Sequence, residues 1–176
     1  MTIKVCLAGA TGWAGSALAR AIAQTDDIEL VSAVSRTQAG RILGNVLGEP
    51  RLGCSIFGTA EEALNYPCDV FFEYTKPDIA RTNVMTALDR GADVVIGTSG
   101  LTDNDLAVIG AVAKARERGV LAVGNFALTA VLLMKFAETA AKLIPQWEII
   151  DYASDRKKDA PSGTVRELAA RLARVR

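Results

Sequence analysis

The sequence predicts a doubly wound α/β fold, a parallel sheet with helices on both faces. Three observations carry this. Short apolar runs alternate with stretches of helical periodicity, the connections between them are short, and a glycine-rich turn joins the first run to the first helix. The 176 residues suit one domain and part of another. Half of them are hydrophobic and 23% are charged, which is the balance of a globular chain and not of a disordered one.

Taken in order, Ile3 to Ala8 is a short β-branched run and reads as a buried strand. Ser16 to Gln24 places Ala17, Leu18, Ala21 and Ile22 at helical spacing, and Ile28 to Val34 is a second strand. Residues 37 to 58 hold five glycines and Pro50 and read as loop. Glu61 to Leu64 suggests a short helix, and Asp69 to Tyr74 a third strand. Pro77 suits the first turn of a helix running to Arg90, with Gly91 closing it. Val94 to Ile96 is a strand. Asp103 to Arg118 is a helix opened by Thr102 or Asp103 and closed by Gly119, and Val120 to Val123 is a further strand.

The pattern then shifts. Thr129 to Ile144 reads as an amphipathic helix ended by Pro145, Trp147 to Tyr152 as a strand, and Gly163 to Arg176 as a helix. We therefore expect a first domain over 1–126 and the start of a second, α+β substrate domain over 127–176. One strand between two helices makes no sheet, so the strand is expected to pair with another chain or with sequence beyond this one. Right-handed crossovers put every strand C-terminus of the first domain on one edge, where ligands bind in such folds. The turns at 9–15, 35–37, 74–77, 97–100 and 124–127 should line that edge.

Composition excludes several chemistries. Twenty Lys and Arg balance twenty Asp and Glu, which gives no support for nucleic acid or an acidic membrane as partner. Cys6, Cys54 and Cys68 are far apart and form no CxxC pair, so neither a disulfide framework nor a zinc site is expected, and Cys6 reads as core. There is no histidine. That removes the commonest general acid near neutral pH and the commonest transition-metal ligand, and no metal site is expected. The most apolar stretch, Val120 to Met134, is too short to span a bilayer, and the first strand leaves no room for a signal peptide. A cytoplasmic location is expected.

Six segments carry the chemistry. Gly9-Ala10-Thr11-Gly12-Trp13-Ala14-Gly15 follows a strand and opens a helix. Glycines there let backbone N–H groups approach phosphate oxygens, and the helix N-terminus adds about half a unit of positive charge. This points to a dinucleotide site of the Rossmann kind, a plain glycine-rich turn being the alternative. At the end of the second strand, where NAD-preferring proteins place a carboxylate, stand Ser35 and Arg36. Serine and arginine can bind a 2′-phosphate, so NADPH is the expected cofactor, with NADH as an alternative; Arg36 as an ordinary surface cation is the bland reading. Glu73 to Pro77, with Thr75, and Gly97-Thr98-Ser99-Gly100 end two further strands, and Asn125-Phe126 follows a third; each alone could be an ordinary turn. Last, Ser162 can cap the final helix, which would leave the N–H groups of Gly163 and Thr164 free for a carboxylate; Lys157, upstream, could donate a proton or pair with an anion.

Together these segments resemble the dihydrodipicolinate reductase (4-hydroxy-tetrahydrodipicolinate reductase) family along essentially the whole chain, above all in Lys157 with Asp159-Ala160-Pro161-Ser162-Gly163-Thr164. The resemblance implies NADPH-dependent reduction of 4-hydroxy-tetrahydrodipicolinate, a cyclic dicarboxylate, in lysine and diaminopimelate biosynthesis, by a homo-oligomer that is usually a tetramer. It implies that Gly97, Thr98, Asn125 and Phe126 border the nicotinamide, that Gly163 and Thr164 hold a substrate carboxylate, and that Lys157 is the proton donor. Family members usually carry a His-His pair before the lysine; here Ala153 and Ser154 stand in those places, Ser154 being able to bond a carboxylate. A reductase of another imine or oxo acid, and a non-catalytic NADP(H)-binding domain, are the alternative readings.

Overall fold

The computed structural model describes residues 2–152 and 160–175. Its contacts divide the chain into two units, Met1–Ala122 and Val123–Arg176.

The first unit is built on a six-stranded parallel sheet in the order β3-β2-β1-β4-β5-β6. Its strands are β1 (Ile3–Ala8), β2 (Ile28–Val34), β3 (Ile56–Phe57), β4 (Val70–Glu73), β5 (Asp93–Ile96) and β6 (Val120–Ala122). The order reverses between β1 and β4, the switch point at which ligands bind in doubly wound sheets. Successive β1 side chains feed opposite layers: Val5 and Leu7 pack in one apolar cluster, Cys6 and Ala8 in the other. This two-sided burial is why the strands read as continuous apolar runs without polar alternation. Burial pushes the Cys6 thiol up to about 12, so it is core and carries no thiolate near neutral pH.

Helices α1 (Trp13–Ile22), α2 (Leu43–Leu47), α3 (Ala60–Ala63), α4 (Pro77–Asp89) and α5 (Asp103–Ala115) belong to this unit. Helix α1 starts three residues before the expected Ser16, because extended Gly12 (φ −75°, ψ 175°) serves as its N-cap. The stretch 37–58 is not plain loop. Leu43, Leu52, Cys54 and Ile56 are buried, and their burial fixes α2 and the two-residue β3, both too short to show a period. Helix α4 follows expectation: Pro77 stands in the first turn, and Gly91 (φ 81°) closes the end. Helix α5 ends three residues before the expected Arg118. Glu117 takes the left-handed position (φ 54°) in place of Gly119, with Arg118 N–H donating to the Ala113 carbonyl at 2.9 Å.

The second unit contains α6 (Leu128–Ala141) and α7 (Gly163–Ala173). The strand expected at Trp147 to Tyr152 is not formed. Among the described residues no other strand lies in this unit, and a lone extended segment has no ladder to join.

Candidate functional site

Beside the switch point lies a cleft of about 580 Å³, lined among others by Gly9, Gly12, Trp13, Ser35, Arg36 and Thr75. The three turn glycines serve different ends. Gly9 has φ +78°, and a Cβ there would stand 2.2 Å from the Tyr74 carbonyl oxygen. A Cβ on Gly15 would meet the Gly9 oxygen at 2.2 Å, so this glycine lets helix and turn touch. Gly12 is less confined, with 3.2 Å to the Gly9 oxygen, and its own N–H is spent on that oxygen at 2.9 Å. The N–H groups of Thr11, Trp13, Ala14 and Gly15 have no acceptor among the described residues, and no side chain caps α1. An anion is what such a helix start can receive.

At the end of β2 the Ser35 hydroxyl meets that of Thr11 at 2.7 Å, tying the glycine turn to the second strand. Arg36 is exposed on the cleft wall and has no ion-pair partner among the described residues. Lys76, in the same condition, stands on the same wall and was not among the expected residues. Its only signal was its place directly before the helix-opening Pro77. Trp13 is 95% exposed at the start of α1 and lines the cleft.

The sheet edge between β4 and β5 is organised by Glu73, a carboxylate with 0% exposure. Its Oε1 accepts from the Thr75 backbone N–H at 2.7 Å, from the Thr75 hydroxyl, and from the Thr98 hydroxyl at 3.2 Å; its Oε2 accepts from Asn83 Nδ2 at 2.8 Å. The backbone oxygen of Glu73 accepts from the N–H groups of Gly97 and Thr98. Burial raises its pKa and the hydrogen bonds oppose that rise. The Thr75 N–H and the Asn83 amide donate to the carboxyl, and the two threonine hydroxyls can donate to it when it is ionised or accept from it when it is protonated. Gly97 is required here because the Tyr74 ring lies 2.4 Å from where a Cβ would be. Ser99 is exposed beyond these contacts. Sequence reasoning singled out the segment but not Glu73 itself; a lone carboxylate closing the run Val70-Phe71-Phe72 was the available signal.

The second unit holds another group. Asn125 Oδ1 accepts from Ala127 N–H and its Nδ2 donates to Thr164 Oγ1, both at 2.9 Å, tying the start of α6 to the start of α7. Phe126 is half exposed next to it. The Ser162 hydroxyl caps α7 by accepting from Val165 N–H at 3.3 Å, while the Ser162 N–H donates to Asp151. The N–H groups of Gly163 and Thr164 have no acceptor among the described residues. Lys157 and Ser154 lie outside the described residues. Among the described residues no cluster of His, Cys, Asp or Glu could hold a metal, and no helix is long and apolar enough to cross a membrane.

Fold and cleft together define a Rossmann-type α/β unit with an uncapped helix start beside its switch point. The chain belongs to the dihydrodipicolinate reductase family: residues 3–126 match the model of its N-terminal part, and residues 129–176 that of its C-terminal part. It is 37% identical over 175 residues to the 4-hydroxy-tetrahydrodipicolinate reductase of Halalkalibacterium halodurans, covering 99% of this chain and 66% of that one. It is 39% identical over 162 residues to the protein of the same name from Syntrophomonas wolfei, covering 92% and 61%. Among solved structures, the dipicolinate-bound dihydrodipicolinate reductase from Paenisporosarcina sp. TG-14 aligns with all of this chain and 67% of its own length, with TM-score 0.77 and 32% identity. The chain thus spans somewhat under two thirds of the length of the curated relatives it matches.

Proposed function

We propose that the protein is an NADPH-dependent reductase of 4-hydroxy-tetrahydrodipicolinate, acting in diaminopimelate and lysine biosynthesis in the cytoplasm as a homo-oligomer. The observation that carries this reading is the open start of α1 beside Ser35 and Arg36 in one cleft, in a chain 37–39% identical to relatives bearing that name. The cleft fits the cofactor on its own chemistry. Four N–H groups without an acceptor among the described residues suit a pyrophosphate, and Arg36 and Lys76, without an ion-pair partner among those residues, suit a further phosphate, where a carboxylate would repel it. NADH, lacking that phosphate, is expected to bind more weakly. When bound, the reduced nicotinamide supplies hydride.

The protein's own part is binding, orientation and proton supply. Gly163 and Thr164 N–H groups, at the start of α7, would hold one substrate carboxylate, and Ser154 and Ser162 would lie beside it. A dicarboxylate in this role is supported by the relative that holds dipicolinate. Lys157 would give the proton, since the sequence has no histidine to do so.

The absence of histidine favours a second reading, in which the same fold reduces a different imine or oxo acid. NADPH oxidation with enzymatically generated 4-hydroxy-tetrahydrodipicolinate separates the two. Turnover that falls by about 10²–10⁴ in Lys157→Ala supports the first. NADPH binding without turnover selects the second, or a non-catalytic binding domain.

A further inference from the structure

Asn125 carries an amide whose orientation its neighbours decide. One end meets the Ala127 N–H at 2.9 Å, which can only donate, so that end is the carbonyl oxygen. The other end is then Nδ2, which can only donate, and it lies 2.9 Å from Thr164 Oγ1. The Thr164 hydroxyl therefore accepts from Asn125 and keeps its own proton to give elsewhere. Among the described residues that proton has no acceptor.

The same bond fixes the side chain. A threonine in a helix divides between two χ1 rotamers, and the contact with Asn125 selects the one that turns Oγ1 toward this segment. One turn further along α7, Glu167 lies against the same segment. A Cβ on Gly124 would stand 2.2 Å from Glu167 Oε2, so glycine is what lets chain and helix come this close. At the start of α7 two N–H groups are already spent, Ser162 on Asp151 at 2.7 Å and Val165 on Ser162 Oγ at 3.3 Å. The Gly163 N–H, the Thr164 N–H and the Thr164 O–H remain, three donors in two adjacent residues. We propose that Asn125 is a positioning residue that acts through Thr164: its amide turns the threonine hydroxyl into a donor and so adds a third donor to the two N–H groups for a carboxylate. This rests on the substrate reading above. Asn125 itself does not meet the carboxylate.

The test is a double-mutant cycle of Asn125→Asp and Thr164→Val, read as dipicolinate affinity by calorimetry on the intact protein with NADPH present. Asn125→Asp keeps an acceptor for the Ala127 N–H but puts an acceptor where Nδ2 was, so the Thr164 proton turns inward to it. The tie between residues 125 and 164 survives with its direction reversed. Thr164→Val should weaken dipicolinate by at least about tenfold, the worth of one hydrogen bond to a charged group. The added negative charge of Asn125→Asp repels the ligand whether or not the hydroxyl is present. The reversed proton acts only where the hydroxyl is present. The loss caused by Asn125→Asp should therefore be about tenfold larger beside Thr164 than beside Val at that place. A merely structural tie, or charge repulsion alone, would give equal losses in the two backgrounds. If Asn125→Asp does not fold, Asn125→Ser takes its place in the cycle, since its hydroxyl can still accept from the Ala127 N–H but is too short to reach Thr164. Equal losses in both backgrounds, or wild-type affinity in Thr164→Val, overturns this inference alone. No binding of dipicolinate by the wild type overturns the substrate reading, and this inference with it.

Discussion

Helices α1 and α5 both follow strands of one sheet, yet they begin in opposite ways. At α5, Thr102 accepts from Asp105 N–H and Asp105 accepts from Thr102 N–H, a reciprocal box that spends the helix start on itself. At α1 the N-cap is a glycine, and the N–H groups of Thr11, Trp13, Ala14 and Gly15 have no acceptor among the described residues. The first arrangement stabilises the fold. The second forgoes a side-chain cap, which with glycine at that place costs about a few tenths of a kcal/mol, and suits a start that an anion completes.

Substitutions can break this contrast from either side. The largest effect is expected at Gly9→Ala, where both the positive φ and the Tyr74 carbonyl stand against a Cβ. We expect a loss of about 3 kcal/mol or more in urea unfolding. Gly110→Ala, on α5 with open space around it, should instead gain about 0.5–1 kcal/mol. Arg36→Ala should raise KM for NADPH by about tenfold and leave KM for NADH nearly unchanged, as expected for one lost charge-assisted bond. Equal effects in steady-state assays would reduce Arg36 to a surface cation. Thr102→Ala should cost about 1 kcal/mol of stability and leave NADPH affinity unchanged.

The smallest effect is a pH dependence. Burial raises the pKa of Glu73 above its ordinary 4.5, so the native state holds this proton more tightly than the unfolded state. Its contribution to stability is therefore highest below 4.5 and falls as pH rises toward the folded value. Melting temperatures of the wild type, measured relative to Glu73→Gln, should decline across that window; a flat difference would contradict the shift.

Much of this was legible in the sequence for physical reasons. Strands β1 and β2 bury both faces, so their apolar runs mark their limits to the residue, and Pro77 with Gly91 brackets α4 because each has a fixed backbone preference. Helix α2 and strand β3 were hidden because five and two residues cannot display a period. The end of α5 misled because a glutamate took the left-handed position with a glycine two residues away. The residues around the α1 turn were legible because backbone approach demands glycine. Glu73 and Lys76 were not singled out, since burial and free rim charge are properties of the folded edge and leave no spacing to detect.

The central claim is that the open start of α1 receives the dinucleotide, and Gly12 tests it most directly. Gly12 has an ordinary extended backbone and only one close neighbour, so Gly12→Val should fold with a loss of about 1 kcal/mol while its side chain enters the cleft. Titration of NADPH into the wild type and this variant, with melting curves recorded on both, is the decisive measurement. Saturable binding by the wild type and none by a folded Gly12→Val is the predicted result. A folded Gly12→Val that binds NADPH as the wild type does would contradict it.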